Sequence, residues 1–236
     1  MFTVNTKIYA SQCDPAAHLS LLSAMNLVQD NASGYLADLG YTQTSMKKEY
    51  NCVWMYTKTK TIFLSTVDWN EELVIESFIS ARSAMRLTVD VIFKSRTGEK
   101  KLYSRVEMCI FDLSEKKPRL LDDILPDNLP IAETEITEPM AKLRFENGEK
   151  ISEITVPSTS IDFCHHTNNV EYLRFILDTY SVERILSTPV KGLDVTYLMQ
   201  TREGEKLEIY KNEEGNFDLF TICSSSAPVL KCRIEF

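Results

Sequence analysis

The chain has 236 residues, enough for one large domain or two small ones. Hydrophobic residues at 44% and charged residues at 25% are ordinary for a soluble globular protein. A net charge of -8 leaves no basic excess to neutralise phosphates, which excludes nucleic acid as the main partner.

The first residues, MFTVNTKIYA, lack a basic stretch leading into an apolar core, and no apolar run reaches membrane-spanning length. A cytoplasmic protein without a membrane segment is expected. The six cysteines (13, 52, 109, 164, 223, 232) are widely spaced, with no CxxC pair. Free thiols in strands are expected rather than a disulfide framework, and neither a metal site nor a cofactor is implied.

Thr3 to Ala10 alternates as a strand. Asp14-Pro15 reads as the N-cap and first residue of a long helix from about His18 to Leu39. Leu21, Leu22, Met25, Val28, Ala32, Leu36 and Leu39 form its inner face, and Gly40 ends it. Strands follow at Val53–Leu64, Glu72–Ile79, Arg86–Lys94 and Lys101–Leu113. Asp122 to Pro139 holds six acidic residues, no basic ones and three prolines, and reads as an extended, solvated linker.

The pattern then returns. A strand is expected at Lys150–Val156, a helix to about Leu186, and strands at Lys191–Met199, Lys206–Lys211, Phe217–Ser224 and Val229–Phe236. Gly215-Asn216 and Ala227-Pro228 mark two turns. Asp14 stands four residues before His18, and Asp162 four before His166. A strand, a long helix and a four-stranded meander occurring twice is an internal duplication. The expected class is α+β, a tandem (double) hotdog in which each half wraps an antiparallel sheet around its helix. The expected boundaries are residues 1–121 and 149–236, joined by a linker over 122–148.

The richest polar cluster is Ser160–Ser181, SIDFCHHTNNVEYLRFILDTYS. Val170, Leu173, Ile176, Leu177 and Tyr180 recur at helical spacing behind it. A helix start presents unpaired N–H groups and the positive end of the dipole, which suits an anion or oxyanion. Asp162 is a candidate base or nucleophile, or alternatively a cap. His166 can shuttle a proton near neutrality, and His165 is treated as background. Cys164 is a nucleophile only if His166 activates it; otherwise it is a small filler. Asn168 and Asn169 order the helix start.

These residues resemble the acyl-ACP thioesterases. The family pattern D-x-N-x-H-V-N-N-x-x-Y is similar to Asp162 through Tyr172. Val53-Trp54 and Glu71-Glu72 leading into LVIESF agree in style in the first half. The family's motif asparagine falls on Cys164, its valine on Thr167, and its glutamate on Gln200, three residues after Tyr197. The resemblance implies hydrolysis of fatty acyl-carrier protein to free fatty acid. Asp162 would act as base or carry an acyl-enzyme, and His166 and Gln200 would position or protonate. The N-terminal half would supply the acyl tunnel, with Trp54 against the chain. Acyl carrier protein is the implied partner, docking on basic residues such as Lys47, Lys48, Arg174 and Arg184. Alternatives are an acyl-CoA thioesterase and a catalytically decayed acyl-binding hotdog protein. A monomer or a homodimer fits equally.

Overall fold

The computed structural model describes residues 1–145 and 148–236. It divides into two units, Met1–Pro139 and Met140–Phe236.

The first unit is built from β1 (Phe2–Lys7), α1 (Leu21–Asp38), α2 (Gln43–Tyr50), β2 (Cys52–Phe63), β3 (Glu72–Arg82), β4 (Leu87–Ser95), β5 (Lys100–Asp112) and β6 (Lys117–Arg119). Its antiparallel sheet runs β1-β3-β4-β5-β2, and β6 pairs with β5. The strands form because every second side chain is apolar. Leu102, Ser104 and Val106 of β5 are buried while their neighbours Lys101, Tyr103, Arg105 and Glu107 are not. α1 lays Ala24, Met25, Val28, Ala32, Tyr35 and Leu36 into this sheet at three- and four-residue steps.

Ser20, not Asp14, caps α1, its hydroxyl accepting from the Ser23 N–H at 3.2 Å. The helix therefore starts three residues after His18. It ends as expected at Gly40, whose φ of +91° permits the Tyr41 N–H to reach Leu36 O at 2.8 Å and the Gly40 N–H to reach Ala37 O at 2.9 Å.

The acidic stretch after Leu121 is mostly exposed, as expected, and it is anchored to the first unit at several points. Leu125 and Ile136 are buried, and the Ala132 N–H donates to Ile79 O at 2.9 Å. Arg82 holds Asp122 at 2.6 Å and Leu125 O at 3.2 Å. Arg105 holds Ile136 O at 2.8 Å while pairing with Asp90, whose side chain is fully buried. Guanidinium groups from the sheet thus capture a chain whose own composition offers no cation. Residues 146 and 147, in the remainder of the expected linker, lie outside the described residues.

The second unit is built from β7 (Glu149–Thr155), α3 (Asn169–Leu177), α4 (Val182–Ser187), β8 (Gly192–Tyr197), β9 (Lys206–Glu214), β10 (Phe217–Ser224) and β11 (Ala227–Glu235). Its strand order β7-β9-β10-β11-β8 repeats the first unit's order element for element. The expected single helix to Leu186 is two. The Thr179 hydroxyl donates to Ile176 O at 2.7 Å, and the Ser181 hydroxyl accepts from the Arg184 N–H at 3.1 Å, ending one helix and starting the next. The last hairpin turns at Ser225 and Ser226, both at positive φ, rather than at Ala227-Pro228. Pro228 lies in β11 beside a register shift, a position at which a strand tolerates proline.

All six cysteines are thiols. Four lie in strands as expected; Cys13 and Cys164 lie in loops. Among the described residues no helix is long and apolar enough to cross a membrane, and no group of acidic, histidine and cysteine side chains could hold a metal ion.

Candidate active site

Residues 160–168 form a closed loop that delivers the chain into α3. The Asp162 N–H donates to His166 O at 2.9 Å, and the His165 N–H to Asp162 O at 3.0 Å. The Asp162 carboxylate closes the loop from within, its Oδ1 accepting from the Cys164 N–H at 2.8 Å and, more weakly, the His166 N–H at 3.4 Å. His165 takes the sharp corner at φ +64° and points to solvent. Asp162, Cys164 and His166 are thereby gathered on one turn, and both side-chain bonds use a single carboxylate oxygen.

The loop is fastened to the segment after β8. Thr167 and Thr201 share a hydroxyl bond at 2.7 Å, and the Thr167 N–H donates to Thr201 O at 2.9 Å. The Tyr172 hydroxyl, from α3, meets Thr201 Oγ1 at 2.8 Å and accepts the Thr201 N–H at 3.1 Å. All three residues are buried. Gln200 precedes this knot directly and is exposed, as are Leu198 and Met199. Phe163, within the loop, is 79% exposed.

At the helix start Asn168 is the N-cap, its Oδ1 accepting from the Val170 N–H at 2.9 Å. Its own N–H is spent on Ser160 O at 2.9 Å. Asn169 opens α3, and its backbone N–H has no acceptor among the described residues. His166 is half-buried, and its Nδ1, fully inside, has no partner among the described residues. Burial lowers its basicity, the Arg202 guanidinium lowers it further, and the Asp162 carboxylate opposes both. The imidazole is therefore neutral at neutral pH, with one donor and one acceptor nitrogen.

Other expected site residues fall elsewhere. Trp54 is a core residue of the first unit, its indole N–H donating to Tyr41 O at 3.0 Å and its backbone bracketed by the Gln43 amide. Met25, on the inner face of α1, is likewise core. Lys47 and Lys48 are exposed on α2. Arg174 is paired with Glu171 at 3.1 Å, and Arg184 lies 4.3 Å over the Phe236 ring, so both cations are already engaged. An open groove of about 800 Å³ in the second unit contains none of the cluster; Glu149, Asp178, Lys211 and Glu213 on its walls unfit it for an acyl chain.

The Thr167–Thr201–Tyr172 knot was not foreseen. Its signal was present, since Thr167 stands in the motif's valine position and Tyr172 is the motif's closing tyrosine.

Two hotdog units in tandem, with the richer polar loop at the helix entrance of the second, define the double-hotdog thioesterase class. The model of the acyl-ACP thioesterase N-terminal domain matches residues 1–128, and that of the C-terminal domain matches residues 144–233. The chain belongs to the acyl-ACP thioesterase family, and so to the thioester hydrolases. No curated protein sequence matches it. Among solved structures it is similar to an acyl-ACP thioesterase from Bacteroides thetaiotaomicron at a TM-score of 0.86 and 16% identity, covering 100% of this chain and 97% of that one. It is also similar to the 12:0-ACP thioesterase from Umbellularia californica at a TM-score of 0.83 and 17% identity, covering 99% and 96%.

Proposed function

We propose that the hydrolysis runs at the Asp162–Asn169 loop, on fatty acyl chains borne by acyl carrier protein, and that the released fatty acid ends chain elongation. The observation that carries this reading is the buried, unpartnered Nδ1 of a neutral His166, on a loop whose carboxylate uses one of its two oxygens. Six thiols without a disulfide fit a reducing compartment, the cytoplasm.

Water adds to the thioester carbon as its proton passes to Asp162 Oδ2. The Asn169 N–H, at the positive end of α3, and the Gln200 amide donate to the carbonyl oxygen as it gains charge. His166 orients the water. The C–S bond then breaks, and the proton on Asp162 moves to the departing sulfur. Gln200 cannot act as a base, so in this route Asp162 carries the proton. Cys164 is not needed; its counterpart in the first unit is Ala16, on a loop of the same shape. Exposed Phe163, Leu198 and Met199 would meet the apolar part of the substrate.

Thiol release from acyl-ACP and from acyl-CoA of equal chain length tests the proposal. Asp162→Asn keeps the Oδ1 acceptor, and with it the loop, but removes the base; a loss of about 10²–10⁴ in kcat is expected. Asp14→Asn, the matching change in the first unit, and Cys164→Ala should each stay within about threefold. Full turnover by Asp162→Asn rejects the mechanism. Faster release from acyl-CoA rejects the carrier, and acyl binding without release from either carrier rejects catalysis.

A further inference from the structure

The two units carry the same loop twice, and they differ in the charge set opposite the histidine. In the first unit Asp14 Oδ1 accepts from the Ala16 N–H at 2.9 Å and the His18 N–H at 3.0 Å, and Ala17 turns the corner at φ +63°. This repeats Asp162, Cys164, His166 and His165 in turn. The facing segments also correspond. The Leu19 N–H donates to Val67 O at 2.7 Å, as the Thr167 N–H does to Thr201 O at 2.9 Å. The Asp68 N–H donates to Glu71 Oε2 at 3.0 Å, as the Arg202 N–H does to Glu205 Oε1 at 2.9 Å. Asn70 at φ +73° and Gly204 at φ +81° donate to Ile8 O and Val156 O. Asp68 and Arg202 therefore occupy one structural position.

Their effects are opposite. Asp68 Oδ1 lies 3.4 Å from His18 Nε2 and pairs with it. Arg202 is exposed and forms no ion pair among the described residues. We infer that Arg202 is a positioning residue for the reaction: standing where Asp68 stands, it withholds from His166 the carboxylate partner that His18 has, and so leaves the imidazole out of an ion pair. The inference rests on the reading that the reaction runs at this loop.

The charged groups about the imidazole are few. Asp162 and His165 belong to its own loop and Arg202 to the facing one. Glu205, further along, accepts from the Arg202 N–H and from the Ser224 hydroxyl, and Tyr172 of α3 is committed to Thr201. Asp162 is the single carboxylate acting on His166 directly, and it favours the charged form. Arg202 offsets it.

The test uses the full chain, whose three histidines give three C2–H proton signals, assignable by single replacement. Arg202→Asp rebuilds the pair of the first unit. It should raise the titration midpoint of His166 by about one pH unit, while Arg202→Lys leaves it in place. The acidic limb of the kcat/KM profile on acyl-ACP should move up with the midpoint. Turnover by Arg202→Asp then falls several-fold near pH 6 and recovers at pH 8. A His166 midpoint unchanged in Arg202→Asp overturns the inference while leaving the proposed site intact. A midpoint that moves while the acidic limb stays put overturns the role given to His166, and the positioning role of Arg202 with it.

Discussion

Tyr172→Phe separates the knot that holds the site from the packing that surrounds it. The ring keeps its volume, so no cavity opens. What is lost is the hydroxyl shared with Thr201 Oγ1 at 2.8 Å and accepting the Thr201 N–H at 3.1 Å. Thr201 Oγ1 retains Thr167 at 2.7 Å. The Thr201 N–H retains nothing, and the residue is fully buried. An orphaned buried donor costs about 1–3 kcal/mol. For a chain of this size melting cooperatively, about 2 kcal/mol lowers Tm by about 4–8 °C. Gln200 is bonded to Thr201, so a knot that loosens should also displace the donor amide, with kcat falling about tenfold or more and KM changing less. Tyr180→Phe is the control: it removes a half-buried hydroxyl bonded to Asp218, in the same unit but away from the loop. It should cost stability without the loss in kcat. Calorimetry and thiol release on the two variants decide the matter. Wild-type stability and turnover in Tyr172→Phe would refute the reasoning. Equal losses of kcat in both variants would show that the effect is general softening.

Two further outcomes follow from buried charge. Arg105→Met strands Asp90, which is fully buried and otherwise holds Thr134. Losing the partner of a buried pair should cost about 3–5 kcal/mol in urea unfolding. It should also expose residues 126–139 to protease, because Arg105 holds Ile136 O and Thr134 as well. For His166, the folded chain lowers the proton affinity below the ordinary value of 6.5. The unfolded state then binds more protons just below that value, so this contribution to stability is complete above pH 6.5 and declines as pH falls below it. Unfolding midpoints measured from pH 7.5 down to 5 should decline less in His166→Gln than in the wild type. The same lowering keeps the reactive neutral form dominant at pH 6.5, which places the acidic limb of the rate profile below that value.

Much of the fold was legible because period and turn chemistry act locally. The strands and α1 carry alternation or helical spacing that survives in the structure with ends shifted by a few residues. α2 was not legible: QTSMKKEY buries Met46 alone and has no apolar stripe, yet its Thr42 cap and the Gln43 clamp on Trp54 hold it. The anchoring of the acidic segment was missed for a different reason. Its partners, Arg82 and Arg105, lie roughly 30 to 45 residues away in the chain, and composition cannot report distant cations. Asp14-Pro15 was misread because an aspartate that closes a loop looks, in sequence, like one that caps a helix. That error bears on the site itself. Asp and His four residues apart occur in both units because the loop needs the Asp162 or Asp14 oxygen to bind the histidine's own N–H. The spacing therefore records folding, and by itself cannot distinguish a catalytic loop from a structural one. What distinguishes them lies across from the loop. Asp68 pairs with His18, whereas among the described residues Arg202 forms no ion pair and His166 Nδ1 has no partner. On the proposed reading, the chemistry of the second unit is written in the segment facing the motif, where a charge is reversed, as much as in the motif.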